Sequence, residues 1–305
     1  MKREILFLGA GRRFELVKFF LGIYSNFNSD LVYRSIESLN YGKPPVGDLI
    51  EVINGPKFES NVFNSFLVEH IKHNKTVLII SCMDLASLTV SEFDWASKGV
   101  NYWGTKSAKR YIDKSCLYQW ANSIDIGTPT FTGETDEVVV KPKIGFGSRG
   151  QAVLYKNDPR LLDYLQDPNW IVQDFVDGIE VSIDCYIARN RSFTSVARER
   201  VTVMGGEVMD TTTRNLSDPE FEIVNKVVAK SDLVGPVNIQ LKGVNNTLLD
   251  INPRFSGGAT ASILSGWIAH QWLLQEYILG EDVVFPKGYE SIFVTRSRRD
   301  HVRVI

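Results

Sequence analysis

The chain has 305 residues, 44% of them hydrophobic and 23% charged, which is ordinary for a globular protein and long enough for about two domains. The formal net charge of −2 gives no bulk attraction to nucleic acid or to an anionic membrane, and the 3 cysteines are too few and too scattered for a disulfide framework or a zinc site. No apolar run approaches the roughly 18 residues of a membrane span, and the N-terminal apolar stretch is too short for a signal peptide, so we expect a cytoplasmic protein.

The first hundred residues alternate short apolar runs with helical periodicity. Residues 5–8 and 77–80 are apolar runs, and apolar side chains recur at helical spacing between Phe14 and Leu21. Strands of this kind between helices are typical of a buried parallel sheet. We therefore predict an open α/β domain over residues 1–104.

The first apolar run ends in the turn Gly9-Ala10-Gly11. A dinucleotide fingerprint would have a third glycine near position 14, where this chain has Phe14. Two interpretations stay open. The turn either needs small residues only for its tight geometry, or it forms a phosphate or carboxylate site at the start of the next helix.

From residue 105 onward the pattern changes to one helix followed mainly by strands. Residues 106–125 have helical spacing, and a second helix starts at Ser217, which begins a capping box with Glu220. The predicted strands cover residues 137–141, 151–155, 170–176, 181–188, 193–203, 237–241 and 247–251, the last two as a hairpin. Residues 105–305 therefore predict an α+β region with mixed or antiparallel strands.

A glycine-rich loop joins two of these strands. Residues 145–150 read Gly-x-Gly-x-x-Gly, but a strand follows, whereas a Rossmann or P-loop glycine run opens a helix. A loop between strands can close over phosphates as a flap, and Lys141 on the preceding strand supplies a point charge. The alternative is a glycine-rich hairpin with incidental basic residues. A protein kinase is not indicated, because the sequence contains neither His-Arg-Asp nor Asp-Phe-Gly.

The strand that begins near residue 180 has two chemically different faces. Its odd positions from Val181 to Ile187 are apolar and predict contact with a core, while Glu180, Ser182 and Asp184 share the opposite face. Glu180 can accept hydrogen bonds from two ribose hydroxyls. Taken alone, this pattern favours the alternative, a solvated strand face.

The predicted hairpin over residues 237–251 carries polar side chains in register. If Gln240 lies opposite Asp250, both project from one face, and Asn252 shares that face. An amide, a carboxylate and a second amide suit a magnesium ion that bridges two phosphates. Arg254 would then meet the transferring phosphoryl group. The polar face of an exposed hairpin is the alternative, and it explains the pattern poorly.

Together these motifs resemble the ATP-grasp ligases, in the form found in the large subunit of carbamoyl-phosphate synthase. The resemblance spans most of the chain and is carried by residues 8–17, 113–114, 140–142, 145–150, 172–176, 238–240 and 250–258. It implies a Rossmann-like pre-ATP-grasp domain over residues 1–104 and an ATP-grasp fold over residues 105–305. The latter divides into a small ATP-binding subdomain (105–175) and a metal and substrate subdomain (176–305).

The resemblance also implies the site residues. In this family a basic residue after an aspartate contacts ATP, a strand end reads the adenine edge with its backbone, and a glutamate binds the ribose. The implied ATP-binding residues are Lys114, Lys141, Gly145, Gly147, Ser148, Arg149, Gly150, Gln173, Asp174, Phe175, Val176 and Glu180. The implied metal ligands are Gln240, Asp250 and Asn252, with Asp250 standing where the family mostly has glutamate.

The implied activity is an ATP- and Mg²⁺-dependent (or Mn²⁺-dependent) ligation. A small-molecule carboxylate is joined to an amine or thiol through an acyl phosphate, with release of ADP and phosphate, and Arg254 is the expected catalytic residue. Arg198 and Arg200 can both face the cleft and bind a substrate carboxylate, or they belong to a salt-bridged strand face. We expect no nucleic-acid or membrane partner, and a homodimer is compatible with the sequence.

Two other functions stay open. The first is a nucleotide-binding subunit or regulator without turnover, against which the intact metal-ligand set argues. The second is a dinucleotide-dependent oxidoreductase built on Gly9–Gly11, which needs an acidic ribose partner roughly 20 residues further on. Asp30 lies about there, but no strand pattern precedes it.

Overall fold

The computed structural model describes residues 2–23, 30–38, 44–145, 147, 149–204 and 207–297. Ser148, one of the predicted ATP-binding residues, lies outside the described residues. Within the described part, no helix is long and apolar enough to cross a membrane.

The N-terminal region forms a five-stranded parallel sheet in the order β3-β2-β1-β4-β5. The strands are β1 (Arg3–Leu8), β2 (Leu31–Glu37), β3 (Glu51–Asn54), β4 (Lys75–Ser81) and β5 (Asn101–Tyr102). The helices are α1 (Phe14–Gly22), α2 (Phe63–His73) and α3 (Asp84–Ser91). Residues 5–8 are fully buried because Ile5 and Phe7 pack in one core while Leu6 and Leu8 pack in another, on the opposite face of the sheet.

The predicted helix over residues 106–125 is two helices, α4 (Ala108–Ile112) and α5 (Lys114–Asn122). Asp113 between them has extended backbone geometry, and its carboxylate accepts hydrogen bonds from the backbone amides of Ser115 and Cys116. Asp113 is therefore the N-cap of α5. This break places Lys114 at the first position of α5.

A small antiparallel sheet follows, in the order β7-β6-β8. Its strands are β6 (Glu137–Pro142), β7 (Ala152–Tyr155) and β8 (Trp170–Asp174), and α6 (Leu161–Gln166) covers one face. Val138, Val140 and Leu154 pack with Leu161 from that helix. The glycine-rich loop joins β6 to β7, so the prediction that it connects two strands is confirmed.

The third sheet is antiparallel and has six strands in the order β13-β12-β9-β10-β11-β14. Its strands are β9 (Glu180–Ile187), β10 (Phe193–Met204), β11 (Glu207–Arg214), β12 (Gly235–Lys242), β13 (Thr247–Asn252) and β14 (Phe293–Thr295). Three helices accompany it: α7 (Asp218–Lys230), α8 (Ala259–Leu264) and α9 (Ala269–Leu274). The capping box predicted at Ser217 and Glu220 is present.

One hydrophobic core joins the parallel sheet to the C-terminal helices. It contains β1 and α1 side chains together with residues of α8 and α9. The rings of Phe20 on α1 and Phe255 before α8 meet edge to face, with their centroids 5.8 Å apart. This packing holds the ends of β1 and β4 against the segment that follows β13.

A buried ion pair near the start of β1 ties three elements of the parallel sheet together. Glu4 is fully buried and accepts hydrogen bonds from Thr76 (2.5 Å) and Arg34 (3.1 Å), and His70 lies 3.0 Å from its carboxylate. Burial raises the pKa of Glu4, but the bonds to its three partners outweigh it and leave the pKa below the ordinary glutamate value.

We expect Glu4→Gln to lower the free energy of unfolding by about 1.5–3 kcal/mol at neutral pH, as for other hydrogen bonds to charged groups. The carboxylate stabilises the fold above its unfolded-state pKa of about 4.3, and this contribution is lost as the pH falls through the lower folded-state pKa. Urea unfolding at neutral and acidic pH measures the difference. Glu51→Gln is the matched control, since Glu51 also bonds Arg34 but is exposed. A wild-type advantage that persists in acid would contradict this assignment.

Candidate functional site

One face of the six-stranded sheet is polar, and the strand register explains why. Across β9 and β12 the pairs are Glu180 with Lys242, Ser182 with Gln240 and Asp184 with Asn238. Across β12 and β13 they are Gln240 with Asp250 and Asn238 with Asn252. The predicted pairing of Gln240 with Asp250 is confirmed. The apolar positions from Val181 to Ile187 form the opposite, buried face, also as predicted.

The three predicted metal ligands differ in their present partners. The Asp250 carboxylate forms an ion pair with the Lys114 ammonium at 3.0 Å. The Asn252 side-chain oxygen accepts a hydrogen bond from the Arg254 guanidinium at 3.2 Å. Among the described residues no group of three or more His, Cys, Asp and Glu side chains could hold a metal ion. Gln240, Asp250 and Asn252 offer one carboxylate and two amide oxygens, a set that suits a magnesium ion that also takes phosphate and water ligands.

Lys141 lies in a group of charged side chains that comes from both antiparallel sheets and from α5. Burial lowers its pKa to about 8, because its ammonium loses water; Lys114 and Lys242 repel it further, while Asp250 and Glu180 partly compensate. The group thus has three lysines and two carboxylates. An anionic ligand would relieve this excess of positive charge.

The end of β8 lies beside the lysine group. The Lys242 ammonium sits 4.6 Å from the centre of the Phe175 ring, a cation–π contact. The Phe175 amide donates to the Glu137 carbonyl, so any adenine recognition by this segment must use the Val176 amide and the backbone carbonyls. The Asp174 carboxylate accepts from the amide and hydroxyl of Thr132, which gives it a structural role in the adjoining turn.

Tyr118 connects α5 to the two sheets. Its hydroxyl lies 3.2 Å from the side-chain oxygen of Gln173 and 3.2 Å from the Leu249 carbonyl, and the Lys141 ammonium lies 5.7 Å from its ring centre. Burial, together with the nearby Asp250 charge, holds the Tyr118 pKa well above its usual value. Tyr118 is therefore a neutral donor, and the predicted ATP-binding residue Gln173 is a buried acceptor of its hydrogen bond.

The described residues of the glycine-rich loop are Gly145, Gly147, Arg149 and Gly150, which come shortly after the end of β6 in the sequence. Gly147 and Gly150 have positive φ angles of 60° and 77°. A side chain at Gly150 would come within 3.2 Å of Pro142 and 3.4 Å of Trp170. The loop thus folds back on its own sheet and needs glycine there.

Arg254 bridges the two halves of the chain. Its guanidinium donates to both oxygens of Asp84, at 2.7 and 2.5 Å, and also to Asn252 and to the Phe255 carbonyl. Burial lowers the Arg254 pKa, but Asp84 outweighs this effect and the pKa is raised overall. These four bonds leave one of its five N–H groups without a partner among the described residues.

The two arginines predicted to bind substrate have carboxylate partners within the protein. Arg198 is 1% exposed and donates to Asp184 and to the Ser256 hydroxyl, both at hydrogen-bonding distance. Arg200 pairs with Glu180, the predicted ribose ligand. This arrangement matches the salt-bridged strand face that the sequence left open. Direct substrate binding by either arginine stays a prediction.

The turn after β1 has an internal anion. Glu37 at the end of β2 is buried and accepts hydrogen bonds from the amides of Ala10 and Gly11; burial raises its pKa, and these bonds only partly offset the effect. A pyrophosphate would compete with this carboxylate for the same amides. Asp30 precedes β2 rather than ending it and pairs with Arg3, so it is not placed as a ribose partner. These positions disfavour the dinucleotide interpretation.

A thiol nucleophile is also disfavoured near this turn. Cys82 is fully buried, and burial raises its pKa to about 12, only partly offset by Arg13 and Arg254. The thiolate form is therefore scarce at neutral pH.

Three residues at the site were not predicted from the sequence. Lys242 lies two residues after Gln240 on the same strand face, so simple alternation would have found it. Asp84 and Arg13 come from the parallel sheet, and only the packing of the two halves brings them to Arg254.

Comparison with known proteins supports the ATP-grasp superfamily. Residues 166–299, less than half of the chain, match a family model described as ATP-grasp in the biosynthetic pathway with Ter operon. No curated protein sequence matches the chain.

Solved structures similar to the chain include N5-carboxyaminoimidazole synthetase from Staphylococcus aureus complexed with ADP. It has a TM-score of 0.71 and 14% identity, over 95% of this chain and 80% of that one. The corresponding ribonucleotide synthetase from Thermus thermophilus has a TM-score of 0.70 and 16% identity, over 95% and 82%. L-amino acid ligase from Bacillus licheniformis has a TM-score of 0.66 and 13% identity, over 91% and 74%. These similarities show the fold: a parallel sheet followed by an ATP-grasp fold.

Two adjacent glycines after Arg254 allow a matched stability test. A Cβ at Gly258 would collide with the buried Arg198 guanidinium, whereas one at Gly257 would lie 3.0 Å from the Arg13 guanidinium, a side chain without a hydrogen bond among the described residues. We expect Gly258→Ala to lower the free energy of unfolding by about 1–3 kcal/mol, and Gly257→Ala to cost clearly less because Arg13 can move aside. Urea unfolding of both variants measures this. Equal losses would mean that Arg198 is not held rigidly.

Proposed function

We propose that the protein is an ADP-forming ligase that uses ATP and magnesium to join a carboxylate to an amine or thiol through an acyl phosphate. The observation that carries this proposal is the group of Lys114, Lys141 and Lys242 facing Asp250 and Glu180, next to the amides of Gln240 and Asn252. The ATP-grasp fold supports the same activity. The closer kinship with the carbamoyl-phosphate synthase large subunit, and the division at residues 104 and 175, stay part of this proposal.

In the proposed complex the adenine lies at the end of β8, and the phosphates extend along the lysine group beneath the glycine-rich loop. Lys114 and Lys141 hold phosphate oxygens, and Lys242 reinforces this field from the opposite strand. Glu180 accepts from the ribose, which requires it to share its carboxylate with Arg200. Gln240, Asp250 and Asn252 hold the magnesium, which when bound neutralises phosphate charge.

Arg254 stabilises the transferring phosphoryl group in this proposal. Its contact with Asn252, one of the proposed metal ligands, supports this role, and the Asp84 carboxylate holds the guanidinium in one orientation before substrate arrives. The acid attacks the γ-phosphorus with one carboxylate oxygen, and ADP leaves. The nucleophile then attacks the acyl carbon and phosphate leaves. Because Cys82 is a buried thiol of raised pKa, we infer that the substrate's own carboxylate, and not the Cys82 thiolate, is the first nucleophile.

A panel of amino acids and small acids, assayed with ATP and magnesium for phosphate release, identifies the acid. With that acid labelled by heavy oxygen, inorganic phosphate is expected to carry one labelled oxygen per turnover, and hydroxylamine is expected to trap the intermediate as a hydroxamate. Release of AMP, or unlabelled phosphate, would contradict the mechanism.

Asp250→Asn keeps the size of the side chain but removes the only formal charge among the proposed metal ligands, so turnover is expected to collapse.

The depressed pKa of Lys141 predicts a pH dependence of nucleotide affinity. Below pH 8 its ammonium is protonated and attracts phosphate; above pH 8 the charge is lost, so affinity for MgATP is expected to fall by up to about tenfold per pH unit. Calorimetry between about pH 6.5 and 9.5 measures this.

Lys141→Arg remains charged over this range and is expected to show a flatter profile. Lys156→Arg, at an exposed ion pair with Asp136, is the matched control and is expected to follow wild type. Identical profiles in all three proteins would remove Lys141 from the phosphate site.

A further inference from the structure

The carboxyl ends of β1 and β4 lie side by side in the parallel sheet, where the strand order reverses direction. In open α/β sheets this position is where ligands bind. Arg13 follows β1 and Asp84 follows β4. Arg254 reaches this point from the end of β13 and donates to both oxygens of Asp84. The crevice therefore opens directly beside the proposed phosphoryl-transfer site.

Three guanidinium groups gather around residues 254–257. Arg296, just after β14, donates to the Gly257 carbonyl at 2.7 Å. Arg13 approaches the same glycine so closely that an added Cβ would lie 3.0 Å from its Nη1 atom. Arg254 lies three residues earlier and faces Asp84. Gly257 is thus the point where arginines from the parallel sheet and from the C-terminal segment meet.

The surroundings of Arg13 leave its positive charge without a carboxylate of its own. The Arg13 pKa is lowered to about 10, by burial and by repulsion from Arg254 and Arg296, while Cys82 and Asp84 partly compensate. Asp84 is already shared with Arg254 through two hydrogen bonds, and Cys82 is a neutral thiol at ordinary pH. The Arg13 side chain has no hydrogen bond or ion pair among the described residues. A partly buried arginine in such surroundings lacks an anion.

The backbone amides of the neighbouring turn are not available to that anion. Glu37 already accepts from the amides of Ala10 and Gly11. An anionic ligand at this crevice must therefore be held by guanidinium groups, which bind carboxylates and phosphates through paired hydrogen bonds.

We propose that Arg13 and Arg296 form a subsite for a second acidic group of the substrate, a carboxylate or a phosphate that does not react. This proposal rests on the proposed ligase function: the reacting carboxylate lies at Arg254, and the second acidic group lies in the crevice between β1 and β4. The substrate acid is thus a dianion. This second group would set specificity, because a monoanionic acid leaves Arg13 buried without a partner.

The test uses the full chain without ATP, at constant ionic strength. Inorganic phosphate, succinate and acetate are the probes, and the shift of the thermal unfolding midpoint reports binding. We expect phosphate or succinate to stabilise wild type while acetate does not, and Arg13→Gln and Arg296→Gln to weaken the effective probe about tenfold. A larger effect of phosphate indicates a phosphorylated substrate, and a larger effect of succinate indicates a dicarboxylate.

Arg13→Gln also separates a binding role from a structural one. Because the Arg13 side chain makes no hydrogen bond in the described structure and is repelled by two other arginines, its loss is expected to leave the ligand-free unfolding midpoint unchanged or higher. Arg13→Lys keeps the charge without the paired donors and is expected to bind the probe with intermediate affinity. Arg12→Gln, at the exposed neighbouring position, is the control and is expected to match wild type.

No stabilisation by either dianion, or undiminished stabilisation in Arg13→Gln, overturns the subsite, as does a lower ligand-free midpoint with unchanged probe affinity. The shift of the thermal unfolding midpoint on addition of MgATP, measured in the same variants, distinguishes a failure of the subsite from a failure of the ligase function. If ATP still stabilises the protein after the subsite fails, the ligase function survives. If dianions bind at Arg13 but ATP binds nowhere, the ligase function fails and the anion site stands.

Discussion

The ion pair between Arg254 and Asp84 is the interaction on which the geometry of the site depends. It joins residues 170 positions apart in the sequence, and both side chains are largely buried. Removing either partner would leave the other charge buried and unpaired, which is costly. The parallel sheet therefore has a direct role at the candidate site: it holds, through Asp84, the arginine that lies beside Asn252, one of the proposed metal ligands. The hydrophobic contact of Phe20 with Phe255 keeps the two ends of this ion pair in reach.

The antiparallel part of the site was predictable because it follows from alternation along strands. Once Gln240 pairs with Asp250, the direction of each polar side chain on β12 and β13 is determined, and the same rule separates Glu180 from the apolar positions of β9. The strands β2, β3, β11 and β14 were not predicted, since their polar and apolar residues alternate weakly. The helix break at Asp113 was missed because its capping bonds involve only backbone amides, which leave no trace in hydrophobic spacing.

What the sequence could not indicate is where separate segments meet. Asp84 reads as the first residue of a helix and Arg13 as the last residue of a turn, and neither position has a chemical pattern around it. Glu37 is a similar case, since its contact with Ala10 and Gly11 depends on the neighbouring positions of β1 and β2 in the sheet. For Arg198 the sequence left both the cleft and a salt-bridged strand face open, and the structure shows it bonded to Asp184 and Ser256 beneath Gly258. Each of these results comes from tertiary packing.

Charge then explains how the two ligand regions are related. Burial and the neighbouring lysines disfavour the charged form of Lys141, and burial and two other arginines disfavour the charged form of Arg13. In both groups the repulsion between like charges persists until an anion binds. Binding of an anionic ligand is therefore strengthened, because it removes this repulsion. Arg254 is linked to both groups, because it donates to Asn252 on β13 and also repels Arg13. In the proposed reaction, Arg254 therefore connects the lysines that hold the nucleotide phosphates to the subsite that holds the substrate acid.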